Sequence, residues 1–403
     1  MEIMSHLPAP PLMDIVSIRR VRPWGGDLVD ILIEDGKIAQ ILRARGERIG
    51  AREFDGGGLL ALPGIVNAHA HVDKSWWGLP WQSYGGQPTT EGRIRHERER
   101  RDELRIPSVA RTSAVLTELV RHGTTAIRSH VDVDDGVGLA GIEAVEEAAA
   151  RYDGALDVQV VAFPQDGVLR RPGVLALLRQ AAKRESVRWI GGLDPATIDR
   201  DPVGQIDAVL GLAAECGVGV DIHLHDPAEL GAFQIELIVE RVERLGLRGA
   251  VNIAHGFALA QLADGPRRDL LATMAEVGVS MTTVAPLRLP QLPLAELDAA
   301  GVRLGFGTDG IRDLWSPYGT GDTLGIAWQY ARAGGLVRDE ELLRVVRLAT
   351  SDGAWAVGRE DHDLTQGVRA DIVLIDAENP MDALVRTPER ALVVAAGRVL
   401  HVA

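Results

Sequence analysis

Short apolar runs, each closing on a polar or charged group, recur through the middle of the chain: GIVNAHAH, TTAIRSHVDV, DVQVVAFPQ, RWIGGLDP, GVDIHLHD, AVNIAHGF, VSMTTVAP and VRLGFGTDG. Between them lie stretches with apolar residues at helical spacing, such as SVARTSAVLTELVRHG and PVGQIDAVLGLAAECG, often ending in glycine. Strands that alternate with helices in this way build a parallel sheet. Eight of them predict an α/β protein, a (β/α)8 TIM barrel over residues 63–360.

The two ends of the chain have another texture. Segments such as DIVSIRRVR and DLVDILIEDGKIAQILR alternate over shorter distances, and EDGKIAQI reads as two strands joined at an Asp-Gly turn. RADIVLIDAENP and RALVVAAGRVLHVA repeat that texture at the other end. Neither piece is large enough to fold alone. Residues 1–62 and 361–403 are therefore expected to pair into one small β-sandwich module. TTEGRIRHERERRDELRIP is a charge-rich helical stretch that reads as a solvated face.

The ends of the predicted barrel strands are where chemistry gathers in such a fold. Here they carry groups that a core rejects: His69 and His71, His130 and Asp132, Gln165, Asp194, His223 and His225, His255, and Asp309. One strand-end histidine is more often a hydrogen-bonded structural residue than a ligand. Many on one rim need a common partner, because an unpaired buried polar group costs several kcal/mol, on the order of 2–7. His69 and His71 share a strand face by the two-residue period. With His223 from the fifth strand and Asp309 from the eighth, they make three imidazoles and a carboxylate. That set suits one divalent cation, Zn2+ first, with Fe2+ or Mn2+ also compatible. Zinc brings a bound water to a pKa of about 7. A second ion would need a bridging lysine on the fourth strand, and RWIGGLDP has none.

Composition narrows the partners. The 403 residues are 46% hydrophobic and 25% charged, ample for a large core. A formal net charge of -14 argues against nucleic acid or an anionic membrane, but not against a small uncharged ring. One cysteine, Cys216, excludes an internal disulfide and fits a reducing cytoplasm. The opening MEIMSHLPAPPLMD lacks the features of a signal peptide, and His6 within it reads as a surface residue. No run approaches the ~20 apolar residues of a membrane span. The expectation is a cytoplasmic protein.

PGIVNAHAH, the later strand-end histidines and the final TDG resemble the amidohydrolase superfamily. Within it, GIVNAHAHVDKS, RSHVDVDD, VQVVAFPQDG, AHGF and TDGIRDLWSPYGTGD are similar to cytosine deaminases, whereas GGLDPAT and DIHLHD look closer to the triazine-acting isopropylammelide amidohydrolases. The resemblance implies metal ligation by His69, His71, His223 and Asp309. It also implies that His255 contacts the hydrolytic water or reacting centre, that Gln165 bonds a heterocycle edge, and that Trp315 lines the ring pocket. His130 and Asp132 are left to supporting hydrogen bonds. Relatives usually form homo-oligomers, so the same is expected here.

One departure matters. Cytosine deaminases carry H-x-x-E on the fifth strand, and this chain has HLHD, with Asp226 in the glutamate's place. A carboxylate one methylene shorter is a poorly placed proton shuttle. The isopropylammelide branch shares H-x-H-D, a lysine corresponding to Lys74 and an aspartate corresponding to Asp194. This implies that His225 moves the proton, held by Asp194 and Lys74, with Asp226 as a substrate contact or the alternative carrier. Trp76, Trp77 and Trp81 are expected to roof a flat substrate. The reaction so implied is hydrolysis of an exocyclic C–N bond on a small pyrimidine- or triazine-like ring, with ammonia or an alkylamine leaving. Gly310, where cytosine deaminases have a second aspartate, counts against cytosine itself. Two rivals remain: opening of a cyclic amide, as in hydantoin or dihydropyrimidine hydrolysis, and a catalytically silent barrel that binds metal or ligand. The missing fourth-strand lysine counts against the first and the intact ligand set against the second.

Overall fold

The computed structural model describes residues 10–44 and 50–403; His6 lies outside the described residues. Eight parallel strands build the barrel: β1 (Ile65–His71), β2 (Thr124–Asp132), β3 (Asp157–Phe163), β4 (Val187–Leu193), β5 (Gly219–Leu224), β6 (Val251–His255), β7 (Ser280–Thr283) and β8 (Leu304–Phe306). Each pairs with the next in chain order. After β8 come Gly307 and Thr308, then the two-residue strand β9 (Asp309–Gly310), which pairs with β1 at Ala70 and His71. Phe306 is in register with Thr283 on the other side, so β8 and β9 together close the sheet on itself.

Gly307 makes that closure possible. A Cβ there would sit 2.3 Å from the His69 carbonyl oxygen and 2.4 Å from its Cβ. Only glycine lets the last strand pass this close to the first.

The intervening helices obey ordinary end signals. In Pro202–Cys216, Asp201 caps the start by accepting the Gly204 N–H at 2.8 Å, proline stands in the first turn, and Gly217 ends the helix in the left-handed conformation. Val, Ile and Leu from the outer faces of the strands bury against these helices in one continuous core.

The chain ends form the second sheet. Five strands between Ser17 and Pro63 join Ile372–Ile375, Arg390–Ala395 and Arg398–Val402. The Asp-Gly turn is where the sequence places it: Glu34 pairs with Lys37, and Asp35 and Gly36 both have positive φ. Ile18, Ile31 and Ile38 from one half bury with Ile372, Leu392 and Val394 from the other. The segment Leu60–Pro63 pairs antiparallel with Ile372–Ile375 and leads through Gly64 directly into β1.

The charge-rich stretch departs from expectation. It forms α1 (Thr90–Leu104), but Ile94, Glu97, Arg101 and Leu104 on it are buried. Their spacing of three, four and three residues is one face of a helix, packed over the barrel mouth. Only the remaining faces meet solvent. Among the described residues no helix is long and apolar enough to cross a membrane.

Candidate active site

At the C-terminal ends of the strands, the predicted ligands converge. The Nε2 atoms of His71 and His223 lie 3.2 Å apart, and Asp309 Oδ1 lies 3.3 Å from His71 Nε2 and 3.6 Å from His69 Nε2. Two nitrogens at that separation need a shared proton or a cation between them. Both ring nitrogens of His69 and His255, and Nδ1 of His71 and His223, are buried without a hydrogen-bond partner. Two overlapping groups, His69–His130–His223 and His69–His255–Asp309, each bring their ligand atoms within 4.8 Å of one another. The donor set fits a divalent metal, three imidazoles and a carboxylate being an ordinary coordination shell.

Electrostatics agree with that fit. Burial, followed by the Lys74 charge, lowers His71 to about 4. Burial, reinforced by neighbouring imidazoles, holds His130, His223 and His255 well below the usual histidine value. These rings are thus neutral and keep their lone pairs. Burial would raise Asp309, but the close approach of the His69 and His71 imidazoles keeps it well below the carboxylate range.

The backbone is bent to present these groups. Asp194, His255 and Asp309 all have positive φ, at 34°, 71° and 60°. A non-glycine residue there costs roughly 1–2 kcal/mol, and three such residues on one rim mark a place where geometry is held against local preference. Gly310 leaves room beside Asp309. A Cβ on it would meet Asp313 Oδ2 at 1.7 Å, so the Asp313 carboxyl fills the space a side chain would take. Burial raises Asp313 to about 6, with Lys74 opposing.

His225 lies beside this cluster. Its Nδ1 is 3.1 Å from Asp194 Oδ2, and its backbone N–H also donates to Asp194. Its ring stacks on His255 at 4.3 Å. Burial would lower it, but the Asp194 charge and hydrogen bond outweigh that and raise it above the usual value. Asp226 faces elsewhere: Thr197 donates to one oxygen and Gln234 to the other, the latter at 3.0 Å.

Lys74 does not join Asp194 on His225, contrary to expectation. Its Nζ donates to Asp132 Oδ1 at 3.0 Å and to Gln165 Oε1. The four-carbon stem carries the charge to a separate buried network between β2, β3 and α1. There Arg101 donates to Asp132 at 3.0 Å and to Asp134 at 2.7 Å. Gln165 Nε2 donates to Glu97 at 2.9 Å and to Asp132 at 3.2 Å, and Trp315 Nε1 donates to Glu97 at 2.7 Å. Lys74 and Arg101 face the carboxyls of Asp73, Glu97, Asp132 and Asp134, and Arg98 also reaches Asp134 at 3.8 Å. Burial, with repulsion from Asp132, raises Asp73 to about 7; burial, against the pull of Lys74, raises Glu97 to about 8. Lys74 and Arg101 outweigh burial at Asp132 and hold it well below the carboxylate range.

The tryptophans divide. Trp76 is packed with Leu104, Ile106 and Leu314 and donates to the Asp313 carbonyl at 3.0 Å, so it is core beneath the loop and not a roof. Trp77 is half-buried and Trp81 is 63% exposed. Trp315 packs beside Ile94, Phe163, Leu193 and Ile198 at the ends of β3 and β4. His130 makes no hydrogen bond; its ring sits 4.3 Å from His69 and 4.5 Å from His223. Sequence reasoning missed Phe163, stacked on His223 at 4.2 Å, and Glu97, whose one signal was its shared helix face with Ile94 and Leu104.

Comparison with known proteins agrees with this architecture. The Amidohydrolase family matches residues 52–401. The crystal structure of N-isopropylammelide isopropylaminohydrolase from Burkholderia multivorans ATCC 17616 is 39% identical, with a TM-score of 0.90 over 96% of this chain and 98% of that one. The N-isopropylammelide isopropyl amidohydrolase of Pseudomonas sp. (strain ADP) is 29% identical over 357 residues, covering 86% of this chain and 87% of the relative. The 5-methylcytosine deaminase of Klebsiella pneumoniae, at 24% identity and a TM-score of 0.83 over 96% and 97% of the two chains, shares the fold. The chain belongs to the amidohydrolase family.

Proposed function

We propose that this protein hydrolyses an exocyclic C–N bond on a small pyrimidine- or triazine-like ring and releases ammonia or an alkylamine. The observation that carries the reading is the meeting of His69, His71 and His223 with Asp309 beside an imidazole, His225, braced on Asp194. The likeness to two hydrolases named for isopropylammelide supports the same chemistry.

His69, His71, His223 and Asp309 would hold one divalent ion, zinc by its preference for imidazole and carboxylate. When bound, that ion supplies an acidified water and polarises the attacked centre. The remaining work belongs to side chains. His225 has Nδ1 committed to Asp194, which leaves Nε2 to take a proton from the attacking water and deliver it to the departing nitrogen. A C–O bond forms, the C–N bond breaks, and the nitrogen leaves as the neutral amine. His255, stacked on His225, stabilises charge at the attacked carbon. Gln165 and Trp315 border the ring, and Asp226 supports the loop beneath His225.

The test is a panel of amino- and alkylamino-pyrimidines and triazines, scored for ammonia or amine release, with elemental analysis of the purified protein. About one transition metal per chain and release from at least one ring are expected. Turnover of a cyclic imide alone, or two metals per chain, would replace this reaction with ring opening.

A further inference from the structure

We propose that Glu97, reaching the pocket from α1, is the positioning residue that sets how Gln165 and Trp315 meet the ring. This rests on the reading above, in which those two side chains border the substrate. Glu97 is fully buried, and burying a carboxyl is costly unless it is bonded. Docking α1 does not require it, since Ile94 and Leu104 on the same face pack as apolar residues. Its two oxygens each serve a different loop: Oε1 accepts from Gln165 after β3, and Oε2 accepts from Trp315 after β9.

The consequence for Gln165 is chemical. Both of its amide hydrogens are spent, on Glu97 and on Asp132, while its oxygen accepts from Lys74. A flipped amide would set its NH2 against the Lys74 ammonium and its oxygen against two carboxyls. The orientation is therefore fixed, and the capacity left to Gln165 is a lone pair on Oε1. It can accept from a ring N–H but cannot donate to a ring nitrogen. Trp315, tethered through Nε1 and packed on Phe163, Leu193 and Ile198, is held in one plane beside it. Glu97 thus selects for rings that present an N–H at this edge, although it does not touch them.

Glu97→Gln is the discriminating variant. Its NH2 must face either the Gln165 amide hydrogens or the Trp315 N–H, so one of the two bonds becomes a donor–donor contact whatever the protonation of the acid. In this variant KM for a turned-over ring should rise about tenfold or more, with kcat changed only a few-fold and metal content unchanged. Preference for that ring over its N-methyl analogue should shrink. Leu104→Ala, which loosens α1 without touching Glu97, should lower the melting temperature and leave KM and preference in place. In 15N-indole-labelled protein, the Trp315 resonance, identified by its loss in Trp315→Phe, should shift in Glu97→Gln. A folded Glu97→Gln protein with unchanged KM and ring preference, or an unmoved Trp315 resonance, overturns the proposal. If the wild-type protein turns over no ring in the panel, the reaction class falls. The indole resonance then decides the clamp by itself.

Discussion

Replacing His225 with asparagine separates proton transfer from metal binding and from folding. The ring is 37% exposed, stacked on His255, and tied through Nδ1 to Asp194. Its removal takes one donor from a buried carboxylate, costing about 1–3 kcal/mol of stability at most. Asp194 keeps the backbone N–H of residue 225, and the new carboxamide offers an N–H in the same direction. The side-chain contacts among His69, His71, His223 and Asp309 do not run through Asp194, whose tie to His223 is a backbone bond at 3.0 Å that the substitution leaves in place, so metal content should persist. A positioned acid–base group contributes roughly 10²–10⁴-fold, or about 3–5 kcal/mol of barrier. The expectation is a fall in kcat of that size, with KM moved far less. Elemental analysis, a thermal melt and steady-state kinetics on one ring substrate measure the three quantities separately. Added imidazole should restore part of the rate. A folded, metal-loaded variant with kcat within threefold of wild type would refute the role.

Three other outcomes follow from the geometry. Glu97 has its pKa raised from 4.5 to about 8, so between those values the folded state holds a proton that the unfolded state has released. That contribution makes stability fall as pH rises from about 5 to 8, and urea midpoints across this range should show a shallower fall in Glu97→Gln than in wild type. Stripping the metal with a chelator should abolish turnover and lower the melting temperature, with both restored by Zn2+, Fe2+ or Mn2+; an active stripped protein would remove the metal from the chemistry. Gly307→Ala places a methyl group within 2.4 Å of the His69 backbone and Cβ, and overpacking of that kind costs typically ~1–3 kcal/mol. Reduced metal content alongside a lower melt is expected, and a variant that matches wild type in both would show that the closure can yield.

The barrel and the clustering of the strand-end histidines with Asp309 were legible because both are written in local pattern. Apolar runs mark the strands, and histidines and Asp309 interrupt them at one end only. The Asp-Gly hairpin of the second sheet is equally local. What escaped is what depends on where a long side chain goes after its strand ends. Lys74 follows His71 closely enough to suggest a partner for His225, yet its stem turns toward Asp132 and Gln165. Glu97 and Arg101 look solvated within a run of charges because their partners, Gln165 and Trp315 for the first and Asp132 and Asp134 for the second, are more than thirty residues away. Trp76 carries no mark that separates a buried loop anchor from a substrate roof; only its packing against Leu104 and Leu314 decides.

The join between the two sheets gives the chain termini a mechanical hold on the candidate active site. Gly64, immediately before β1, donates its N–H to the Asp371 carbonyl at 2.9 Å and offers its own carbonyl to His362 Nε2 at 2.8 Å. The strand ahead of it is pinned to Ile372–Ile375. His69 and His71 are thus strung from a buckle fastened by residues three hundred positions downstream. Cropping the tail would slacken those histidines, making the last strands as much a part of the proposed metal seat as the imidazoles that line it.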